Sequence, residues 1–115
     1  MVRVRWLSQA VVMTSHTYEN GKNEQSHQDP SLCELLMGEP ADVSRVVFPA
    51  DANTAAAAME AVYQSRGQIW TLVVPKRELP VRFDAGAARR FVREGGAILR
   101  SDPNPALVLT ALGGY

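Results

Sequence analysis

The densest cluster of side chains able to bind an anion or move a proton is Ser26-His-Gln-Asp-Pro30. His27 carries an imidazole, whose charge changes between pH 5 and 8, and Ser26 and Gln28 flank it with a hydroxyl and an amide. The run stands where a helix begins: Asp29 suits the cap, Pro30 the first helical position, and Ser31 with Glu34 matches a capping box one register later. The orphan N–H groups and dipole of a helix start favour an anion such as a phosphate. Lys22 and Asn23 lie upstream in the same polar stretch. On pattern alone, a lone histidine near a helix start is more often structural or solvated than catalytic, so the cluster marks a candidate site without naming a reaction.

Other chemistries are poorly supported. There is no GxGxxG or GxxxxGK[ST] phosphate loop, and no set of metal ligands is assigned. The single cysteine, Cys33, sits in the apolar run Ser31-Leu-Cys-Glu-Leu-Leu-Met37 and reads as a small buried hydrophobe. Twelve Lys and Arg balance twelve Asp and Glu, so no overall field draws the chain to nucleic acid or an anionic membrane. No apolar run approaches the roughly 20 residues that span a bilayer. Trp6 and Trp70 read as packing, and a cytoplasmic protein is the default.

Hydrophobic runs alternate with helical patterns, the signal of an α/β fold with a parallel sheet and flanking helices. Strands are expected at residues 10–14, 45–48, 69–74 and 106–110, the third central because it is nearly continuous in apolar residues. Residues 15–29 have no periodicity and read as a long loop. A helix follows Pro30 and is stopped by Gly38 and Pro40. A second follows Asn53 and runs to about Arg66, with Ala55, Ala58, Met59 and Val62 on its core face and Gly67 ending it in the left-handed conformation. A third is expected over 84–94, with Ala85, Ala88, Phe91 and Val92 inward and Arg89, Arg90 and Arg93 facing water, broken by Gly95-Gly96. Residues 76–80 read as a connector. A chain of 115 residues is one small domain at most. A final strand ending at glycines, with no covering helix after it, gives the C-terminus the look of a cut.

At the polar loop the sequence resembles the phosphoketolase family. That family carries a Thr-Ser and then a loop ending in Asn-Gly-Phe-Ser-His-Gln-Asp-Pro; here Thr14-Ser15 precede Asn23-Glu-Gln-Ser-His-Gln-Asp-Pro30 at the same loop length. A second block, Val43-Ser-Arg-Val-Val-Phe-Pro-Ala-Asp-Ala-Asn-Thr54, is similar to the family's EVVRVYLPPDANT, and a third, Asn104-Pro-Ala-Leu-Val-Leu-Thr-Ala-Leu-Gly-Gly114, resembles the start of its C-terminal domain. The resemblance implies a partial thiamine-diphosphate-binding fold: residues 1–83 as the C-terminal part of a pyrimidine-binding-type domain, and 84–115 as a linker helix and first strand of the next.

The family implies a large oligomeric lyase that cleaves a ketose phosphate with inorganic phosphate, giving acetyl phosphate and an aldose phosphate. Thiamine diphosphate and Mg²⁺ belong to the complete enzyme and are not bound by this chain alone. The resemblance places Asn23 on a substrate contact and His27 on a position for substrate binding and proton transfer, with Lys22, Ser26 and Gln28 as further substrate-binding candidates. Lys22 replaces a family histidine, keeping a cation but losing a neutral base near pH 7, and Glu24-Gln25 replace Gly-Phe. The expected partners are a sugar phosphate, inorganic phosphate and the remainder of the enzyme or its other subunit, in a homo-oligomer. The alternative is a noncatalytic α/β interaction or regulatory module on the same scaffold.

Overall fold

The computed structural model describes residues 6–14 and 31–113. Within them β1 (Gln9–Thr14), α1 (Ser31–Met37), β2 (Ser44–Val47), α2 (Ala52–Gln64), β3 (Ile69–Val74) and α3 (Ala85–Glu94) follow in order. The strands form one parallel sheet in the order β1-β3-β2, so the α/β class and the central place of residues 69–74 are both found. β3 earns that place by composition: Trp70, Thr71, Leu72 and Val73 are all buried, as both faces of a parallel strand must be.

Alternation divides the sheet into two faces. Trp70 and Leu72 join Ala57, Ala58 and Val62 of α2 and Ala88 and Val92 of α3 in one apolar cluster, with Ala10, Val47 and Val74 packed against it. Fully burying one side chain such as Leu72 or Val62 is worth about 1.5–3 kcal/mol. The alanines let α3 approach α2 closely, and Phe83 and Phe91 close one end, their ring centroids 5.5 Å apart. On the opposite face the Cys33 Sγ of α1 lies 3.8 Å from the Met13 Sδ of β1.

The start of α2 organises the chain on both sides of it. Asp51, 4% exposed, is the N-cap: its carboxylate accepts from the Thr54 N–H at 2.8 Å and the Thr54 hydroxyl at 2.9 Å. The Thr54 Oγ1 in turn accepts from the Asp51 N–H at 2.9 Å, completing a capping box. The other carboxylate oxygen accepts the N–H groups of Arg82 and Phe83 at 2.7 and 2.9 Å, and the Asn53 amide donates to the Phe83 carbonyl at 2.7 Å. Residues 82 and 83 are thereby fixed to the start of α2, and α3 follows from its own cap, Asp84.

Several boundaries differ from expectation. β2 begins and ends one residue early, at Ser44–Val47. α2 stops at Gln64 instead of near Arg66, because Ser65 caps it in extended conformation and gives its hydroxyl to the Val62 carbonyl. Gly67 does take a left-handed φ of 74°, but two residues beyond that cap, where its N–H donates to the Trp6 carbonyl at 2.7 Å. Gly95 ends α3 in the left-handed conformation. Arg89 is exposed as expected yet pairs with Glu60 of α2 at 2.8 Å, and Ala85 is exposed rather than inward. The fourth strand is not formed: residues 106–110 carry no regular secondary structure and are exposed, Leu109 to 85%. Strand propensity needs a neighbour to pair with, and no described strand pairs with this segment.

Burial pushes the Asp51 carboxyl up, but the donors of Thr54, Phe83 and Arg82 together outweigh it and hold the group below the ordinary aspartate range. A depressed folded value means stability that is complete above the unfolded value of about 3.9 and is lost as the pH falls through the folded value. Asp51→Ala is expected to cost about 2–4 kcal/mol in urea unfolding at neutral pH. Asp51→Asn is expected to show a shallower loss of stability than the wild type on acidification below about pH 4. Equal acid sensitivity in the two proteins would remove Asp51 from this role.

Candidate functional site

In an open parallel sheet, ligands gather beyond the carboxyl ends of the strands. Here those ends are Thr14, Val47 and Val74, and the register sets Thr14 beside Val74. Three connections leave from this edge: residues 15–30 from β1, 48–51 from β2 and 75–84 from β3. The sequence candidates Lys22, Asn23, Ser26, His27 and Gln28 all belong to the first and lie outside the described residues, as does His16, the chain's other histidine. The described part of the chain fixes where that connection departs, at Thr14 in the register of the central strand, and where it returns, at Ser31 of α1, which packs beside β2.

The third connection reads in the sequence as a mere connector. The strand order changes that reading, because Lys76 and Arg77 follow the central strand directly and so stand on the edge from which residues 15–30 depart. Both are exposed. The signal that finds them is positional: two cations just past the carboxyl end of the most apolar strand.

The second connection supplies Asp51, a buried carboxylate at the same edge. Its oxygens are occupied by Thr54, Arg82 and Phe83, so it is a fastener and not a free base. On the sheet face away from α2, the hydroxyls of Ser44 and Thr71 are buried and make no hydrogen bond to the described residues.

Four described groups have displaced titration, and all move away from neutrality. Burial raises the Cys33 thiol. Asp51 is lowered as described, and the Arg89 hydrogen bond holds Glu60 below the ordinary glutamate range while Glu60 raises Arg89 in return. A general acid or base works best with a pKa near the operating pH, and none of these four meets that condition. Among the described residues no group of three or more His, Cys, Asp and Glu side chains is placed to hold a metal ion.

Comparison with known proteins gives a consistent picture. The family described as D-xylulose 5-phosphate/D-fructose 6-phosphate phosphoketolase matches residues 1–65. A probable phosphoketolase of Pseudomonas putida is 33% identical over 107 residues, 90% of this chain and 14% of that protein. A probable phosphoketolase 2 of Rhizobium meliloti is 34% identical over 84 residues, 73% of this chain and 11% of that protein. A probable phosphoketolase of Brucella abortus is 46% identical over 43 residues, 37% of this chain and 5% of that protein. The chain thus spans no more than 14% of the length of these relatives.

The position of Cys33, 8% exposed and against the Met13 sulfur, matches its reading as a buried hydrophobe. It is expected to react with a disulfide reagent at least about a hundredfold more slowly in the folded chain than in denaturant, since only an accessible thiolate attacks. Comparable rates in the two conditions would reopen a nucleophilic role.

Proposed function

The chain belongs to the phosphoketolase family, and on that premise we propose that it is a segment of a phosphoketolase-like carbon–carbon lyase, supplying one wall of an active site that other segments or subunits complete. The full reaction would cleave a ketose phosphate with inorganic phosphate to acetyl phosphate and an aldose phosphate. The observation that carries the proposal is positional. The family match runs through residues 15–30, which connect the carboxyl end of β1 to α1 at the edge where such sheets hold ligands.

In this reading residues 1–83 form the end of a pyrimidine-binding-type domain, and 84–115 lead into the next. The complete protein is a cytoplasmic homo-oligomer. No described helix is long and apolar enough to cross a membrane. Thiamine diphosphate, with Mg²⁺, supplies the carbanion chemistry from other parts of the enzyme. This segment binds and orients: Asn23, Ser26 and Gln28 hold sugar hydroxyls and phosphate oxygens, while Lys22 provides a point charge for phosphate, with Lys76 and Arg77 as further cations on that edge. His27 moves a proton between a ring nitrogen and a substrate oxygen. That role rests on the match of Ser26–Pro30 to the family's loop.

The substitutions Lys22, Glu24 and Gln25 favour a second reading, a noncatalytic interaction or regulatory module on the same scaffold. The two are separated by grafting this chain in place of the matching segment of the Pseudomonas putida relative. Acetyl phosphate formation by the graft supports the lyase; a folded but inactive graft supports the module. In an active graft, His27→Ala is expected to lower turnover by about 10²–10⁴-fold with cofactor binding unchanged. Lys22→Ala is expected to raise KM in a salt-dependent way with little change in kcat. Turnover of a sugar phosphate by the 115-residue chain alone, with thiamine diphosphate and Mg²⁺ added, would refute the shared-site reading.

A further inference from the structure

A helix cap asks for one acceptor, and serine or asparagine supplies it about as well as aspartate. Asp51 brings two oxygens into a site where it is 4% exposed, and a buried carboxylate is costly unless donors meet it. One oxygen, Oδ1, caps α2 through the Thr54 N–H and hydroxyl. The other, Oδ2, takes no part in the cap. It accepts the N–H groups of Arg82 and Phe83, 31 and 32 residues further along the chain. The second oxygen thus serves the connection between β3 and α3, and Asn53 serves it too, through the Phe83 carbonyl.

That connection is short and stiff. β3 ends at Val74 and the carboxylate takes hold at Arg82, so residues 75–81 run between two fixed points. Pro75 and Pro80 lock their own φ and restrict Val74 and Leu79 before them. Lys76 and Arg77 lie between these prolines, just past the carboxyl end of the central strand. With so little rotational freedom in between, a displacement at Arg82 is passed back to both cations. We propose that Asp51 is a positioning residue for anion binding: by holding Arg82 and Phe83 it sets where Lys76 and Arg77 stand, and so the affinity of that edge for a phosphoryl group. Asp51 itself, with its oxygens taken, touches no ligand. The inference rests on the lyase reading for the identity of the anion, a sugar phosphate or inorganic phosphate, and on the hydrogen bonds of Asp51 for the rest.

Asp51→Ser separates the two tasks, since serine still caps α2 but has no second oxygen for Arg82 and Phe83. In the 115-residue chain, amide hydrogen exchange at Arg82 and Phe83 is expected to quicken at least about tenfold in this variant, with the Thr54 amide still protected. Asn53→Ala, which releases the Phe83 carbonyl and leaves Asp51 in place, is expected to act in the same direction and decides the matter where Asp51→Ser does not fold. In the Pseudomonas putida graft loaded with its cofactor, Asp51→Ser is expected to raise the dissociation constant of inorganic phosphate, or the KM of fructose 6-phosphate, by about tenfold, with kcat within about twofold. Which constant moves tells free phosphate from sugar phosphate. Thr54→Ala, which weakens the cap and keeps the bonds to Arg82 and Phe83, is expected to lower the melting temperature and leave both constants unchanged. In a Lys76→Ala, Arg77→Ala background, Asp51→Ser is expected to add nothing, because its effect runs through those two side chains. Unaltered exchange at Arg82 and Phe83 overturns the proposal. So do constants that stay put in an active or an inactive graft, an equal shift from Thr54→Ala, or an Asp51→Ser effect that survives the loss of both cations. A graft without turnover whose phosphate constant still shifts counts against the lyase reading and supports this one.

Discussion

The carboxylate of Asp51 is the joint on which the helical side of the sheet depends. It stands at the exit of β2, caps α2, and takes two backbone N–H groups from residues 82 and 83. Those last two bonds, with the Asn53 amide on the Phe83 carbonyl, fasten the approach to α3 against α2. Burying a carboxylate is costly unless its charge is met by donors, and here four donors meet it. The Asp-Ala-Asn-Thr run is thus a structural clasp: Asp51 gathers donors, Asn53 reaches the Phe83 carbonyl, and Thr54 returns the cap. Ala52 contributes only a small helical residue between them.

From that clasp the packing is built. α2 presents Ala57, Ala58 and Val62, α3 answers with Ala88 and Val92, and the central strand lies beneath with Trp70 and Leu72. Small side chains on both helices let them share one layer over a narrow sheet. The Glu60–Arg89 pair on the exposed rim adds little stability there, since exposed ion pairs are weak. The opposite face is held differently, by the contact of Cys33 with Met13.

The features legible in the sequence are those that local composition dictates. Ile69–Val74 announces itself by apolar continuity, and the helix starts near Asp51 and Asp84 by residue type, although α2 begins at Ala52 and not after Asn53. The boundary of β2 is displaced because Ser44 is polar yet buried, and a pattern of hydrophobicity assigns such a residue to the loop. Residues 106–110 look like a strand because their propensity is real, but pairing is a property of neighbours and cannot be read from the segment itself. Lys76 and Arg77 read as connector residues until the strand order sets them on the edge shared with Thr14. The reach of Asp51 to residues 82 and 83 is likewise invisible, because the bonds run between segments distant in the chain. Lys22, Asn23, Ser26, His27 and Gln28 rest on family pattern, and the structure adds the edge from which their loop departs.

The strand order also has a kinetic meaning. β2 and β3 pair across α2, with Ser44 against Ile69, whereas β1 pairs across most of the chain, with Gln9 against Ile69. Loop closure costs more entropy as the loop lengthens, and distant pairings are correspondingly slow. The unit from β2 to α3 is therefore the natural nucleus, with its clasp and apolar cluster complete in itself. β1 arrives late, onto a surface already formed. Residues 15–30 follow β1 directly, so the edge from which they depart is set only when that long-range pairing closes.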